Sequence, residues 1–345
     1  MKHIAVRILS INGVPITIAL IVMVAVFGIL SPVFFDGSTL FNYLNIAVPL
    51  LMLSVGVAVV MIGGGIDLSV GTVAGLSAGV VMWALVSGMP TWIAALAGIG
   101  TGLAFGLFNG LLITRFGISD FIVTLATLNI AGGLLVVLTG AVSLHPVATP
   151  GFSQLGRGNV LTIPTALWIA AVLFVVLHFV LTRTAWGRRI FAIGIAPDAA
   201  DIAGVNVLRA RMLTFALSGV IAGCAGVLLA SRLGTVQAFL GNGYEFTAIA
   251  GAVLGGVSLA GGRGSVWAAV AGGLLLATLQ QGLRLNGVDP LYFQIVTGLC
   301  IVAGVVFDRR VRQLALSIAR RRAPSRRSPG KGTTPRLDAT PKEAR

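Results

Sequence analysis

Charge is scarce in this 345-residue sequence: Asp, Glu, Lys and Arg together make up 10% of it, against about 25% in an ordinary soluble domain. Histidines number three (His3, His145, His178) and are scattered, and the two cysteines, Cys224 and Cys300, lie inside apolar stretches. That leaves no Cys/His cluster with metal-ligand spacing, and neither a disulfide framework nor a zinc site. No nucleophile elbow, no HExxH and no glycine-rich phosphate loop followed by Lys-Ser/Thr occurs, so the sequence offers neither a catalytic constellation nor an ATP site of its own. What it has instead is hydrophobicity: 57% of residues are apolar, and the mean hydropathy is +0.99. A soluble globule of this size must clothe itself in polar groups, and this chain cannot. Apolar stretches near the roughly 20 residues needed to cross a bilayer recur from Ile16 to Phe307. The fold class expected is an all-α, polytopic membrane bundle.

Ten helices are predicted: Ile16–Leu30, Leu44–Ile62, Val70–Val86, Trp92–Ile113, Phe121–Thr139, Pro164–Leu181, Met212–Ser231, Phe246–Leu259, Ser265–Leu283 and Tyr292–Phe307. The helix ending at Leu259 is short for a full span, which suggests a tilted or re-entrant segment. Lys2 and Arg7 before an apolar run resemble a signal peptide, but the run is long and Ser31-Pro32 makes a poor cleavage site, so it reads as a first membrane helix. Basic residues favour the cytoplasmic side. With the N-terminus inside, the inner loops carry Arg115, then Arg183, Arg188, Arg189, Arg209 and Arg211, then Arg263. The outer loops receive the nearly balanced set Asp36, Arg157, Arg232, Glu245, Arg284 and Asp289. Both termini are therefore expected in the cytoplasm. Residues 1–308 form the membrane domain, and Arg309–Arg345 a tail with 12 Lys/Arg and two acids. Such a segment is too polar to pack and is expected to be disordered. The positive-inside rule explains its charge without nucleic acid.

Two loops stand out. Gly140–Thr162, outside, holds His145, Pro146 and Pro150; Thr182–Arg211, inside, contains a short predicted helix within Ala196–Val205. Pro197 suits its first turn, Asp198 its positive end, and Gly204 its close. A docking element and an ordinary connecting helix fit that pattern equally. The 46 glycines are a further signal. Gly98, Gly102, Gly106 and Gly110 recur every four residues, a stripe that lets helix backbones approach closely in lipid.

Charges inside a membrane mark functional positions. The main one is Asp67, in Gly63-Gly64-Gly65-Ile66-Asp67-Leu68-Ser69-Val70-Gly71. The glycines interrupt two hydrophobic helices, a pattern tolerated where the turn lines a cavity or is buried in protein. Ser69 is placed to cap the next helix, with Asp67 near its positive end. A gating turn and a structural turn both fit. A second break, Gly255 to Ser265, shares the Gly-Gly and the Ser before an apolar helix, hinting at an internal repeat. Asp67, Ser69, Asn109, Thr124, Asn129 and Gln280 are the candidates to line a substrate pathway, since amides and hydroxyls suit a neutral, hydroxyl-rich solute. Helix–helix hydrogen bonds, worth about 1 kcal/mol or less, are the competing role of each.

Gly64 to Gly71 resembles the signature of ribose-type sugar permeases of ABC importers, within the branched-chain amino acid and ribose permease superfamily. Three further stretches agree: Asn109 to Ile113 leading into Phe121 to Thr127, Ala196 to Val205, and Gly243-Tyr244-Glu245 running into Val253 to Gly264. The resemblance covers about Asn42 to Asp308. It implies a permease dimer, of two copies or of two related chains, and two cytoplasmic ATPases that hold ATP and magnesium. It also implies a soluble sugar-binding protein on the outer face and residence in the bacterial cytoplasmic membrane, in contact with lipid. It makes Ala196, Pro197, Asp198, Ala199, Ala200, Asp201 and Gly204 the segment that couples to the ATPase. Ala196 departs from the family's usual Asn, and Asp201 falls at a variable position. The resemblance implies no enzymatic role, no cofactor and no metal on this chain. An ion-coupled carrier built around Asp67, and an ABC permease for branched-chain amino acids, are the alternatives. The sugar is open among pentoses, hexoses and polyols.

Overall fold

The computed structural model describes residues 14–145, 151–300 and 302–303. Lys2, Arg7, Pro146, Pro150 and the basic tail lie outside the described residues. In order, the helices are α1 (Val14–Leu30), α2 (Gly37–Ile62), α3 (Val70–Val86), α4 (Thr91–Arg115), α5 (Asp120–Thr139), α6 (Phe152–Arg157), α7 (Thr165–Arg183), α8 (Ala185–Ile195), α9 (Pro197–Ile202), α10 (Val207–Leu233), α11 (Tyr244–Leu254), α12 (Val266–Leu285) and α13 (Pro290–Cys300). One two-residue hairpin, β1 (Asn159–Val160) with β2 (Ile163–Pro164), sits between α6 and α7. Six of these helices, α2, α4, α5, α7, α10 and α12, are long and apolar enough to cross a membrane.

Helix α2 begins at Gly37, seven residues before the predicted start, behind a single 3-10 turn at Pro32–Phe35. Its sequence is apolar on all sides, the pattern of a helix buried all round, and 89% of its membrane-length window is buried. The same measure is 28% for α5 and for α7, which leaves those helices facing outward. α10, α11 and α12 pack directly against α2, so α2 is the axis of the bundle.

Glycine brings the other helices together. A β-carbon at Gly102 would collide with the backbone of Gly219 and Gly223, and one at Gly106 with Phe215 and Gly219. At Gly110 it would meet Met212. Gly102, Gly106 and Gly110 of the predicted stripe thus form the face of α4 that lies backbone to backbone on α10, while Gly98 faces Val81 and Ser77 of α3. A second contact of this kind joins α11 and α12, where Gly251 and Gly255 meet Gly272, Gly273 and Ala268. Without hydrophobic drive between helices in lipid, close approach maximises dispersion contacts.

Three departures from the predicted elements matter. The loop Thr182–Arg211, predicted inside, is mostly helical: α8 and α9 fill it, and α10 starts at Val207. Thr184 caps α8 by accepting from Gly187, and Asn206 caps α10 by accepting from Arg209. The outer loop contains α6, fastened by Arg157, whose Nε and Nη2 donate to the terminal α10 carbonyls of Arg232 and Leu233 at 2.6 and 2.7 Å. The short eighth predicted helix is shorter still, eleven residues in α11, and the loop ahead of it folds back onto α3. There the Leu240 carbonyl and Gly241 press against Gly75 and Gly71. Glu245, expected in an outer loop, is buried in the first turn of α11.

Candidate functional site

The break between α2 and α3 is where chemistry-bearing side chains converge. Gly64 takes φ +80, a left-handed value that costs other residues, and the chain passes without regular structure through Ile66 to Ser69 into α3. Asp67 is 2% exposed. A buried carboxylate is tolerable when its oxygens are hydrogen-bonded, and these are. Oδ1 accepts from the Ser69 amide at 3.0 Å and the Ser69 hydroxyl at 2.6 Å. Oδ2 accepts from the Ser218 hydroxyl of α10 at 2.9 Å. Ser69 Oγ in turn accepts from Asn109 Nδ2 of α4 at 3.0 Å, and Asn109 Oδ1 accepts from Thr127 of α5 at 2.6 Å. One chain of five buried side chains thereby ties the turn to three helices. Ser69 does not cap α3 with its side chain as expected; its hydroxyl is committed to Asp67, and Asp67 takes the Ser69 amide instead.

A second acid holds the other side of the turn. Asp120, at the start of α5, accepts from the Ile66 amide at 2.8 Å and lies 3.7 Å from the Arg211 guanidinium. Thr124 donates to the Asp120 carbonyl at 2.7 Å, one turn back in α5. The turn is therefore clamped from α4, α5 and α10 together.

The short helix α9 has a well-defined form. Ala196 is extended, Pro197 opens α9, and Asp198 sits in its first turn. Gly204, with φ +81, closes it: Gly204 donates to Asp201 at 2.8 Å and Val205 to Ala200 at 3.0 Å, the paired bonds of a Schellman motif. Ala200 is buried against Ile193 and Ala210. Pro197, Asp198, Ala199, Asp201 and Gly204 are exposed, and Ile202 stands 90% exposed beside them. α9 is thus a short helix with two exposed acids and one bare isoleucine.

Immediately before it, Gly194 touches both glycine-rich breaks. A β-carbon there would strike the Ile62 carbonyl at the end of α2 and the Gly262 amide. Gly261, φ +83, packs on Gly194 and on Gly64. The end of α8, just before α9, and the two breaks thus share one backbone contact.

Elsewhere a cavity of about 310 Å³ opens among α2, α11, α12 and α13, within the size range of small-molecule sites. Its polar lining includes Tyr43, Arg232, Thr247, Gln280, Gln281 and Gln294, and no carboxylate. Tyr43 shares a hydrogen bond with Thr278 at 2.9 Å, and Arg284 lies over the Phe293 ring. A second cavity, of about 370 Å³, is lined by Asn42, Asn45 and Arg157 and shares Ile46 and Arg232 with the first.

Of the residues singled out for a substrate pathway, the structure brings Asp67, Ser69 and Asn109 into one buried network, with Thr124 beside it. Gln280 lines the first cavity. Asn129 is apart from both, exposed on α5 with its amide turned back to the Leu125 carbonyl. Ser218, Asp120, Thr127, Arg232 and Gly194 were not among those candidates. Only Asp120 carried a local signal, as an acid opening a helix.

Comparison with known proteins agrees with the four sequence stretches. Residues 39–305 match the family described as branched-chain amino acid transport system / permease component. The chain belongs to that family. It is 38% identical to the ribose import permease protein RbsC of Bacillus subtilis (strain 168), over 85% of this chain and 91% of the relative. It is 34% identical to the D-allose transport system permease protein AlsC of Escherichia coli (strain K12), over 85% and 90%. With the autoinducer 2 import system permease protein LsrC of Yersinia pseudotuberculosis (serotype O:1b, strain IP 31758) the identity is 33%, over 86% and 84%. No solved structure matches. As a family member with several apolar helices, the permease is a multi-pass membrane protein rather than an enzyme.

Proposed function

We propose that this permease is the membrane subunit of a bacterial ABC importer, moving a sugar or related polyol across the cytoplasmic membrane. Its full-length relatives named for ribose and allose support the substrate class. Ten membrane segments with both termini inside fit α1, α2, α3, α4, α5, α7, α10, α11, α12 and α13, with α11 as a short segment rather than a full span, and α8 and α9 in the cytoplasm. The partners of this reading are two ATPases that bind ATP and magnesium, a second permease subunit, and a sugar-binding protein at the outer face. Residues 1–308 are the membrane unit, and the basic tail stays cytoplasmic by its charge.

The observation that carries the reading is the docking helix and its base. α9 offers Asp198, Asp201 and Ile202 to a cytoplasmic partner, and Gly194 connects it to the turns that end α2 and α11. ATP-driven closure of the ATPases pushes α9, and a contact of bare backbones passes the push to both breaks without compliant side chains between. The clamp around Asp67 makes the first break move as a unit with α4, α5 and α10. Gln280 belongs to the solute path in this account. Asp67, Ser69, Asn109 and Thr124 stiffen the turn beside it, and Asn129 faces outward.

An ion-coupled carrier built around Asp67 would need that acid to be free, and Asp67 already accepts three bonds. The family description favours a second reading, branched-chain amino acids. Reconstitution with the cognate ATPase and binding protein decides between the two substrate classes. ATP-dependent uptake of a neutral sugar supports the first; uptake of leucine with no sugar transported overturns it.

A further inference from the structure

We propose that Arg232 and Asn45 organise a low-affinity site for one neutral, polyhydroxylated solute within a single copy of this chain. The inference rests on the importer reading and deepens it: selection by the soluble binding protein is followed by a second, weak selection inside the membrane subunit.

The two cavities are neighbours that share Ile46 and Arg232. Arg232 therefore stands where one opens onto the other. Its Nε is buried and has no hydrogen-bond partner, and the buried Oδ1 of Asn45 has none either. Buried polar atoms are normally paired, so two orphans lining adjoining cavities ask for a ligand. The pair is chemically mixed: arginine Nε can only donate, and an amide oxygen can only accept. A carboxylate answers the first alone, whereas a hydroxyl, donor and acceptor at once, answers both. The rest of the first cavity suits the same solute. Thr247, Gln280, Gln281 and Gln294 offer bonding in either sense, and Tyr43, Pro49, Leu50 and Phe293 give it an apolar wall for C–H faces. Arg232 and Arg284 line it, with no acid to balance them among the described residues. An ammonium-bearing sugar is repelled from such a site, so charge sets its selectivity. The affinity is weak because a passing solute must also leave.

The test uses the full-length chain in lipid nanodiscs and saturation-transfer NMR with D-ribose, D-allose and xylitol, with D-glucosamine as the cationic control. The expected result is a saturable signal from at least one neutral probe, with a dissociation constant on the order of 1 mM. Glucosamine neither saturates nor competes. Arg232→Gln weakens binding about tenfold or more, equivalent to about 1.4 kcal/mol. Gln281→Leu serves as the second variant if Arg232→Gln does not yield folded protein, with gel filtration as the check. No saturable signal from any neutral probe, equal binding of glucosamine, or variants that bind as the parent does would each overturn the site. ATP-dependent uptake by the reconstituted complex is scored separately. Sugar uptake without saturable binding sinks this site and leaves the importer reading standing.

Discussion

Gly262 donates its backbone amide to the Ile62 carbonyl at 2.9 Å, joining the loop before α12 to the last residue of α2. Gly194 packs on both partners of that bond. A side chain at Gly194 cannot be accommodated without moving one of three backbones. Gly194→Val is therefore expected to leave ATP hydrolysis by the assembled complex within about twofold while uptake falls at least tenfold. Parallel ATPase and uptake assays in proteoliposomes check this; equal loss of both activities contradicts a transmission role.

The docking helix makes a separate prediction. Asp198 and Asp201 are exposed and anchor nothing in the bundle, so changing both to Arg should not unfold it. The double variant is expected to reach the membrane at normal levels, lose co-purification of the ATPase, and lose uptake. Normal uptake at normal levels would remove the coupling assignment. Ile202→Asp should act in the same direction, since it replaces the one bare apolar side chain of that face.

Asp67 tests stability rather than transport alone. Asp67→Leu strands the Ser69 amide, the Ser69 hydroxyl and the Ser218 hydroxyl, at about 1–3 kcal/mol for each buried group left unpaired. Asp67→Asn keeps part of the bonding and should lose less. Thermal unfolding in detergent orders the three proteins as parent, Asn variant, Leu variant. A Leu variant as stable as the parent contradicts the clamp.

At the α4–α10 contact, Gly102→Leu drives a side chain into the backbone of Gly219 and Gly223. Overpacking of this kind costs about 1–3 kcal/mol, and the variant is expected to show a lower unfolding temperature. Gly100→Leu is the control, because nothing lies within 4 Å of a β-carbon there.

These contacts show which parts of the fold were readable. The stripe Gly98 to Gly110 announced a close helix contact because its four-residue period is a property of one helix. Its partner, Gly219 and Gly223 of α10, was not named, since pairing between distant helices leaves no local trace. Pro197, Asp198 and Gly204 delimited α9 for the same local reason. Asp67 stood out as an acid in an apolar stretch, but Ser218 and Thr127, which complete its network, look like any hydroxyl in a membrane helix. Ser69 shows propensity overruled by a neighbour: a good capping residue spends its hydroxyl on the acid two positions earlier. Arg232 read as an outer-loop charge at a helix end, and only the packed bundle places it between two cavities.

The tail gives a prediction from charge. Deleting Ala323–Arg345 removes basic residues outside the family match, and uptake is expected to stay within about twofold in a correctly inserted truncation, as positive-inside retention requires little more. Loss of uptake there would assign the tail a further role.

The most direct test of the account is ATP-dependent uptake by the permease reconstituted with its ATPase and binding protein. The account predicts accumulation of a neutral sugar that requires all three components and stops when α9 carries Arg at 198 and 201. Transport by the permease alone, without ATP, would contradict it.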